Sequence, residues 1–184
     1  SRFRNEWFTR AITRGTGMFG YLMMLPSLES IPVDDKGRPT ITGTTYSGVD
    51  LAFSDKARSD WNVIFTIMVG DDGHNYLLNI ERGRWSSAET VDRIIDTHVR
   101  YGSIIFVESV SAQRVVIDWC NDKKADVPVY PFNTRGQGET HNKWHGIFGV
   151  EMVAAGLANN KWSIPRSGTA DDPGPIDPLV REWM

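Results

Sequence analysis

Two acidic residues interrupt apolar runs that are typical of buried strands. Asp50 lies between Val49 and Leu51, and Glu108 directly follows the apolar run 104–107. A charge that is buried without a partner costs several kcal/mol, or its pKa shifts until the group is neutral. A divalent cation is the strongest partner for a lone carboxylate. The two acids therefore indicate a metal site, provided that the fold brings them together.

Converging carboxylates without cysteine or clustered histidine ligands favour Mg²⁺ or Mn²⁺ over zinc. Two such ions, about 3.5–4 Å apart, can activate a water and stabilise the leaving oxygen of a phosphodiester displacement. Asp60 precedes the second apolar run and could reach the same metal or its water shell. The structural alternatives are a core ion pair for Asp50, a strand end for Glu108 and a turn hydrogen bond for Asp60.

The composition is that of an ordinary globular protein of 184 residues, with 40% hydrophobic and 23% charged residues. Because the formal net charge is -3, contact with nucleic acid would need a local basic surface. The single cysteine, Cys120, excludes an internal disulfide and a cysteine-built zinc site, and it is typical of a reducing compartment. No apolar run has the length of a membrane span and no signal peptide is recognisable, so we expect neither.

The predicted elements follow the order β-β-β-α-β-α-β-α. Three strands, over 44–53, 62–69 and 75–85, are joined by turns short enough for antiparallel neighbours. Ser86 and Glu89 then predict a capping box at the start of a helix, and Gly102 predicts its end. The remaining elements are a strand over 103–107, a helix after Ser111, a strand over 127–132 and a helix over 143–158.

This order predicts an α/β fold with an RNase H-like mixed sheet. An antiparallel three-strand meander is extended by parallel strands, and helices cover both faces. In this topology the first strand lies next to the fourth, so Asp50 and Glu108 would converge. We expect residues 1–43 to be a connector or arm, 44–165 the main domain, and 166–184 a linker with the start of a C-terminal helix.

Four segments carry a more specific signal: GVDLAFSDKARSDWNVIFTIMVG, YLLNIERGRWSSAETVDRIID, IIFVESVSAQRVVIDW and HNKWHGIFGVEMVAAGLANNKWSIP. In this order, over about residues 44–165, the chain resembles the nuclease domain of the large terminase subunit of tailed bacteriophages. The resemblance implies a Mg²⁺- or Mn²⁺-dependent endonuclease that cuts concatemeric double-stranded DNA during genome packaging. It implies metal ligands at Asp50 and Glu108, a further acid at Asp60, and a DNA-contacting lysine at Lys143.

The resemblance is incomplete at both ends of the chain. The family's third catalytic aspartate lies on a helix beyond the linker, and Asp171, Asp172 and Asp177 match that motif poorly. We therefore expect the third ligand beyond Met184. Because no GxxxxGK[ST] phosphate loop occurs, the ATPase domain of a large terminase is expected upstream.

The implied partners are double-stranded DNA and, in the full-length protein, that ATPase domain, the small terminase subunit and the portal. The resemblance implies no membrane association. It places the protein in the bacterial host cytoplasm, transiently at the procapsid portal.

Several basic residues on loops or strand ends could contact DNA phosphates, although a solvated surface explains them equally well. They are Lys56, Arg58, Arg82, Arg84, Arg135 and Lys143. His141 and His145 have the spacing of a zinc helix, but no third ligand is apparent. Trp61, Trp119 and Trp144 are expected to pack in the core.

Two other functions remain open from the sequence. Without a third acid, the domain could grip DNA or dock on a portal and be catalytically silent alone. The same acids would also suit another RNase H-like nuclease, such as a junction resolvase or a transposase.

Overall fold

The structure is a computed structural model that describes residues 4–14, 34–36, 40–51, 61–108, 114–124, 126–132 and 150–166. Four helices lie in these ranges: α1 (Asn5–Ala11), α2 (Ser87–Tyr101), α3 (Arg114–Lys123) and α4 (Val150–Ala158). Seven strands accompany them: β1 (Ile12–Arg14), β2 (Gly43–Asp50), β3 (Asn62–Gly70), β4 (Asn75–Gly83), β5 (Ile104–Glu108), β6 (Val129–Phe132) and β7 (Trp162–Arg166).

The strands form a mixed sheet in the hydrogen-bonded order β1-β7-β4-β3-β2-β5-β6. The pairs β1–β7, β4–β7, β2–β5 and β5–β6 are parallel. Between β3 and β4 the chain reverses in a tight turn, where the Gly70 amide donates to the His74 carbonyl at 2.8 Å. A turn this short joins antiparallel neighbours. The predicted mixed sheet, with an antiparallel meander extended by parallel strands, is confirmed.

Two contacts fix the pairing of β2 with β3. The Asp71 amide donates to the Thr42 carbonyl at 2.8 Å, and the hydroxyl oxygens of Ser47 and Thr66 lie 2.8 Å apart. From Thr42 to Ser47 the residue number rises by five, whereas from Asp71 to Thr66 it falls by five. The two strands are therefore antiparallel. Continuing this register for three residues places Asp50 opposite Val63.

The described chain divides into two compact units, and β3 and β4 contribute residues to both. The unit formed by Thr45–Thr66 and Asn79–Thr134 contains an apolar core. In it, α2 and α3 cover one face of the strands and bury alternate strand residues with their own apolar sides. Its fully buried members, at 2% exposure or less, include Ile64, Val91, Ile94, Ile105, Val107, Val116 and Cys120.

The other unit comprises Ser1–Thr44, Ile67–Leu78 and Arg135–Met184. Helices α1 and α4 contribute Phe8 and Leu157, each 1% exposed, and β7 contributes Ile164 at 2%. The Arg10 guanidinium donates to the carbonyl of Ala158 at 3.3 Å and links the two helices. His74 Nε2 lies 2.8 Å from the Ser163 hydroxyl, which joins the β3–β4 turn to β7.

Helix α2 begins and ends as its sequence predicts. Ser86 accepts a hydrogen bond from the Glu89 amide, and the Glu89 carboxylate accepts one from the Ser86 amide, which is a complete capping box. Gly102 ends the helix in the left-handed region at φ 60°, and its amide donates to the His98 carbonyl at 2.8 Å.

The structure differs from the sequence prediction at both ends of the described chain. Residues 5–14, which we expected in an irregular connector, form α1 and β1, and β1 pairs with β7. Strand β7 was not predicted either, since Pro165 weakens the strand signal of a short segment. The expected third helix is described only from residue 150, as α4. The expected domain boundaries stay a prediction.

Two valines of the helices are exposed: Val99 of α2 at 59% and Val115 of α3 at 47%. Ile117, at 7%, lies on the buried side of α3. None of the described helices is long and apolar enough to cross a membrane.

Candidate functional site

Strand pairing brings the two predicted metal ligands side by side. In the parallel pair β2–β5, Gly48 lies opposite Phe106 and Val49 opposite Val107. The next residue of each strand is Asp50 and Glu108, respectively. Because neighbouring strands lie about 4.8 Å apart and paired residues share a face, the two carboxylates project from adjacent positions on one face.

Both acids line one cavity of about 480 Å³. The rest of its wall is apolar and comes from β2, β3, β5 and β6: Gly48, Val49, Val63, Phe65, Phe106 and Phe132. Phe132 pairs with Glu108 across β5 and β6, and Val63 lies opposite Asp50 in the register derived above. The site therefore consists of two neighbouring carboxylates in an otherwise apolar wall.

The cavity lies on the sheet face opposite α2 and α3. Val49 and Val107 point into the helix-covered core, at 3% and 0% exposure. Since side chains alternate along a strand, Asp50 and Glu108 point away from that core. Asp50 is exposed and Glu108 is half-buried. The expectation that Asp50 is a buried charge was wrong, because its strand is buried on one face only.

The structure does not describe four of the other predicted site residues. Asp60, Arg58, Arg135 and Lys143 lie outside the described residues, and so do the poorly matching acids at 171, 172 and 177. Within the ranges that are described, no group of three or more His, Cys, Asp or Glu side chains could hold a metal ion. The described part of the site is thus the pair Asp50 and Glu108.

The donor chemistry of this pair suits a hard divalent cation. Ionised carboxylates provide oxygen ligands, which Mg²⁺ and Mn²⁺ prefer, whereas Cys120 is buried in the opposite core. Asp50 and Glu108 could therefore hold such an ion between them.

Arg84, a predicted DNA contact, lies against a tryptophan. Its guanidinium carbon is 4.8 Å from the centroid of the Trp61 ring, and that of Arg82 is 4.5 Å from the same ring. Trp61 is 43% exposed, so the prediction that it packs in the core was wrong; Trp119, at 46%, is exposed as well. A tryptophan two residues before a buried-strand pattern gives no signal that distinguishes packing from an arginine contact.

The contacts of neighbouring residues show on which sheet face this cluster lies. Glu81 forms an ion pair with Arg93 of α2, at 3.0 Å, so Glu81 faces the helices. Alternation along the chain then directs Arg82 and Arg84 to the opposite face. Trp61 lies two residues before Val63, which lines the cavity. The Trp61–Arg82–Arg84 cluster thus lies on the same face as the two carboxylates.

The solved structures that are similar to this chain include two of bacteriophage large terminases. The large terminase nuclease from thermophilic phage G20c with bound magnesium superposes with a TM-score of 0.51 and 15% identity, over 82% of this chain and 75% of that chain. The HK97 bacteriophage large terminase gives 0.54 and 10% identity, over 100% of this chain and 42% of that chain. The chain has the fold of a large terminase nuclease.

In this terminase nuclease fold, the predicted RNase H-like sheet is confirmed. The chain spans less than half of the HK97 large terminase. No family model matches the sequence, and no curated protein does.

Proposed function

We propose that this chain is the metal-dependent endonuclease domain of a viral DNA-packaging terminase. One observation carries the proposal: Asp50 and Glu108 end adjacent parallel strands in register and line one cavity, within a terminase nuclease fold. The proposed substrate is concatemeric double-stranded DNA. The proposed partners in the full-length protein are an ATPase domain, the small terminase subunit and the portal, and the proposed location is the host cytoplasm.

The proposed chemistry is two-metal hydrolysis of a phosphodiester, in which Asp50 and Glu108 supply oxygen ligands. When bound, Mg²⁺ or Mn²⁺ lowers the pKa of a water and neutralises charge on the attacked phosphate. The carboxylates hold their positions because β2 and β5 fix both backbones in register.

The test is plasmid cleavage with Mg²⁺, Mn²⁺ or EDTA, comparing wild type with Asp50→Asn and Glu108→Gln. Both substitutions keep the side-chain shape and remove the charge. We expect metal-dependent cutting that falls by about 100-fold or more in each variant, since even changes beside a metal ligand cost 10–100-fold. Sequenced ends should show little base preference, because contacts to the DNA backbone carry no sequence information directly.

Asp96→Asn is the matched control, because Asp96 is an exposed carboxylate on α2, on the other side of the sheet. It should cut like wild type, and circular dichroism should show that all variants fold. Equal cutting by wild type, Asp50→Asn and Glu108→Gln would refute the proposal. Cutting confined to four-way junctions or transposon ends would assign the site to another RNase H-like nuclease.

A further inference from the structure

Aromatic side chains form a row on the sheet face that carries the two acids. Phe106 lies two residues before Glu108 in β5, and Tyr130 of β6 pairs with Phe106. The Phe106 ring centroid is 5.9 Å from that of Tyr130 and 6.3 Å from that of Tyr46. Tyr130 and Phe132 are each 52% exposed. Because contiguous exposed apolar groups are typical of binding sites, this face is a candidate ligand site.

A glycine opens a gap in this face, between two phenylalanines. Gly48 pairs with Phe106 of β5, and the register derived above places Gly48 opposite Phe65 of β3. A Cβ atom on Gly48 would meet nothing within 4 Å, so the space above it is open. All three residues line the cavity of about 480 Å³, which lies in the range of roughly 300–1,000 Å³ for small-molecule sites. The aromatic slot consists of Gly48 as its floor and Phe65 and Phe106 as its two sides.

The width of the aromatic slot suits a flat ring. Phe65 and Phe106 lie on the strands at either side of β2, so their backbones are separated by two strand spacings, or about 10 Å. Side chains stand roughly perpendicular to a sheet. A planar ring that is in contact on both faces needs about 7 Å between its two neighbours, which is twice the contact distance of carbon atoms. The slot can therefore take one aromatic ring between the two phenyl groups.

The position of the aromatic slot indicates which ring it binds. Asp50 is two residues after Gly48 in β2, and Glu108 is two residues after Phe106 in β5. Each of these steps spans about 7 Å along its strand. A DNA strand with a phosphate at the two acids would therefore have a base within reach of the slot. Every nucleobase has a π-face that stacks on aromatic side chains, so this contact tolerates any sequence.

We propose that the aromatic slot holds one base of the DNA strand that is cut, outside the duplex stack. This inference rests on the proposed nuclease function and adds a substrate class, DNA that is unpaired at the cut. Phe65 and Phe106 are the binding groups. Paired DNA must first give up the pairing and stacking of that base, so DNA with an unpaired base should bind more tightly.

The test is fluorescence anisotropy of two labelled duplexes in EDTA, one fully paired and one with a two-nucleotide bubble. Wild type should bind the bubble duplex at least about tenfold more tightly, because its bases are already unpaired. Gly48→Val fills the slot from its floor and should remove most of this preference, with Gly48→Ala intermediate. The fold should be retained in both variants, since the added atoms enter open space and valine is favoured in strands.

Two further variants test the rings themselves. Phe65→Leu and Phe106→Leu stay apolar but lose the flat π-face, so each should weaken binding to the bubble duplex by roughly 5- to 150-fold. Binding to the paired duplex should be unchanged, whereas a defect in folding would weaken both complexes alike. Trp119→Leu is the matched control, because it removes an exposed ring from α3 on the other side of the sheet, and it should change neither affinity.

Three results would overturn the proposal. Wild type binds both duplexes equally or binds neither, or Gly48→Val keeps the preference for the bubble duplex. In the third, Gly48→Val unfolds at a lower urea concentration than wild type, which would show that protein atoms already fill the slot.

These outcomes are independent of cutting, because binding is measured without metal. A chain that cuts DNA and loses cutting in Asp50→Asn, but binds both duplexes equally, keeps the nuclease and loses the slot. A chain that cuts nothing, but prefers the bubble duplex and loses this preference in Gly48→Val, keeps the slot and loses the nuclease.

Discussion

At the scale of single residues, three buried hydroxyls hold the strands that carry the acids. Ser47 Oγ donates to Ser103 Oγ at 2.9 Å and lies 2.8 Å from Thr66 Oγ1, and all three residues are at most 1% exposed. They link β2 to β3 and to the residue before β5. A register slip of one residue would turn Asp50 toward the helix-covered core, so these contacts help to keep it on the cavity face.

Ser47→Ala should lower the free energy of unfolding by about 1–3 kcal/mol, because it leaves two buried hydroxyls with fewer partners. Urea unfolding followed by circular dichroism measures this change. Ser87→Ala, at an exposed position of α2, is the control and should change stability by less than about 0.5 kcal/mol. A Ser47→Ala protein as stable as wild type would show that the hydroxyl contacts contribute nothing to the register.

At the scale of elements, α2 covers the core beneath the site and depends on its two ends. The Ser86–Glu89 capping box satisfies amides at the first turn, and Gly102 ends the helix with a positive φ. A Cβ atom on Gly102 would meet nothing within 4 Å, so any cost of a side chain there comes from the backbone conformation.

Gly102→Ala should therefore destabilise the protein by about 1 kcal/mol, the ordinary cost of the left-handed conformation for a residue with a Cβ. Gly102→Asn should cost less, since asparagine adopts this conformation more readily. Thermal unfolding of the two variants beside wild type gives the comparison. Equal losses for alanine and asparagine would point to a cause other than the backbone.

Local signals made the elements near the site predictable. The capping residues predicted α2, and apolar runs predicted β2, β3 and β5. The order of these strands in an RNase H-like sheet places Asp50 beside Glu108. We expected Asp50 to be buried because apolar residues flank it, but an alternation of apolar and polar residues such as Val49, Asp50 and Leu51 is typical of a strand that is buried on one face only. The Trp61 cluster could not be predicted, because it depends on the pairing of β3 with β4. Strands β1 and β7 were missed because each is short.

At the scale of the whole molecule, stability should depend on pH through His74. Burial lowers the pKa of His74 from its ordinary value of 6.5; the Asp72 carboxylate opposes this shift and Lys161 adds to it. The folded chain then binds a proton more weakly than the unfolded chain. Protonation favours unfolding, so this contribution is present above pH 6.5 and is lost as the pH falls below it.

We expect the wild-type protein to lose stability as the pH falls from about 6.5 to 5, and His74→Gln to lose less. Glutamine retains a polar group near Ser163 but does not titrate. Urea unfolding at several pH values gives the two slopes, and the values near pH 8 serve as the internal reference. If the unfolding free energy changes equally with pH in the two proteins, His74 is not the cause of the pH dependence.

The single thiol is a built-in reporter for the whole core. Cys120 is 0% exposed on α3, and burial raises its pKa to about 11, so the folded protein offers almost no reactive thiolate. Cys120 can be alkylated only in molecules whose core has opened, so the rate of alkylation is proportional to the fraction of molecules in the open state. Because a ligand that binds the folded state reduces that population, the same cysteine can register a bound cation or DNA duplex without any label at the site.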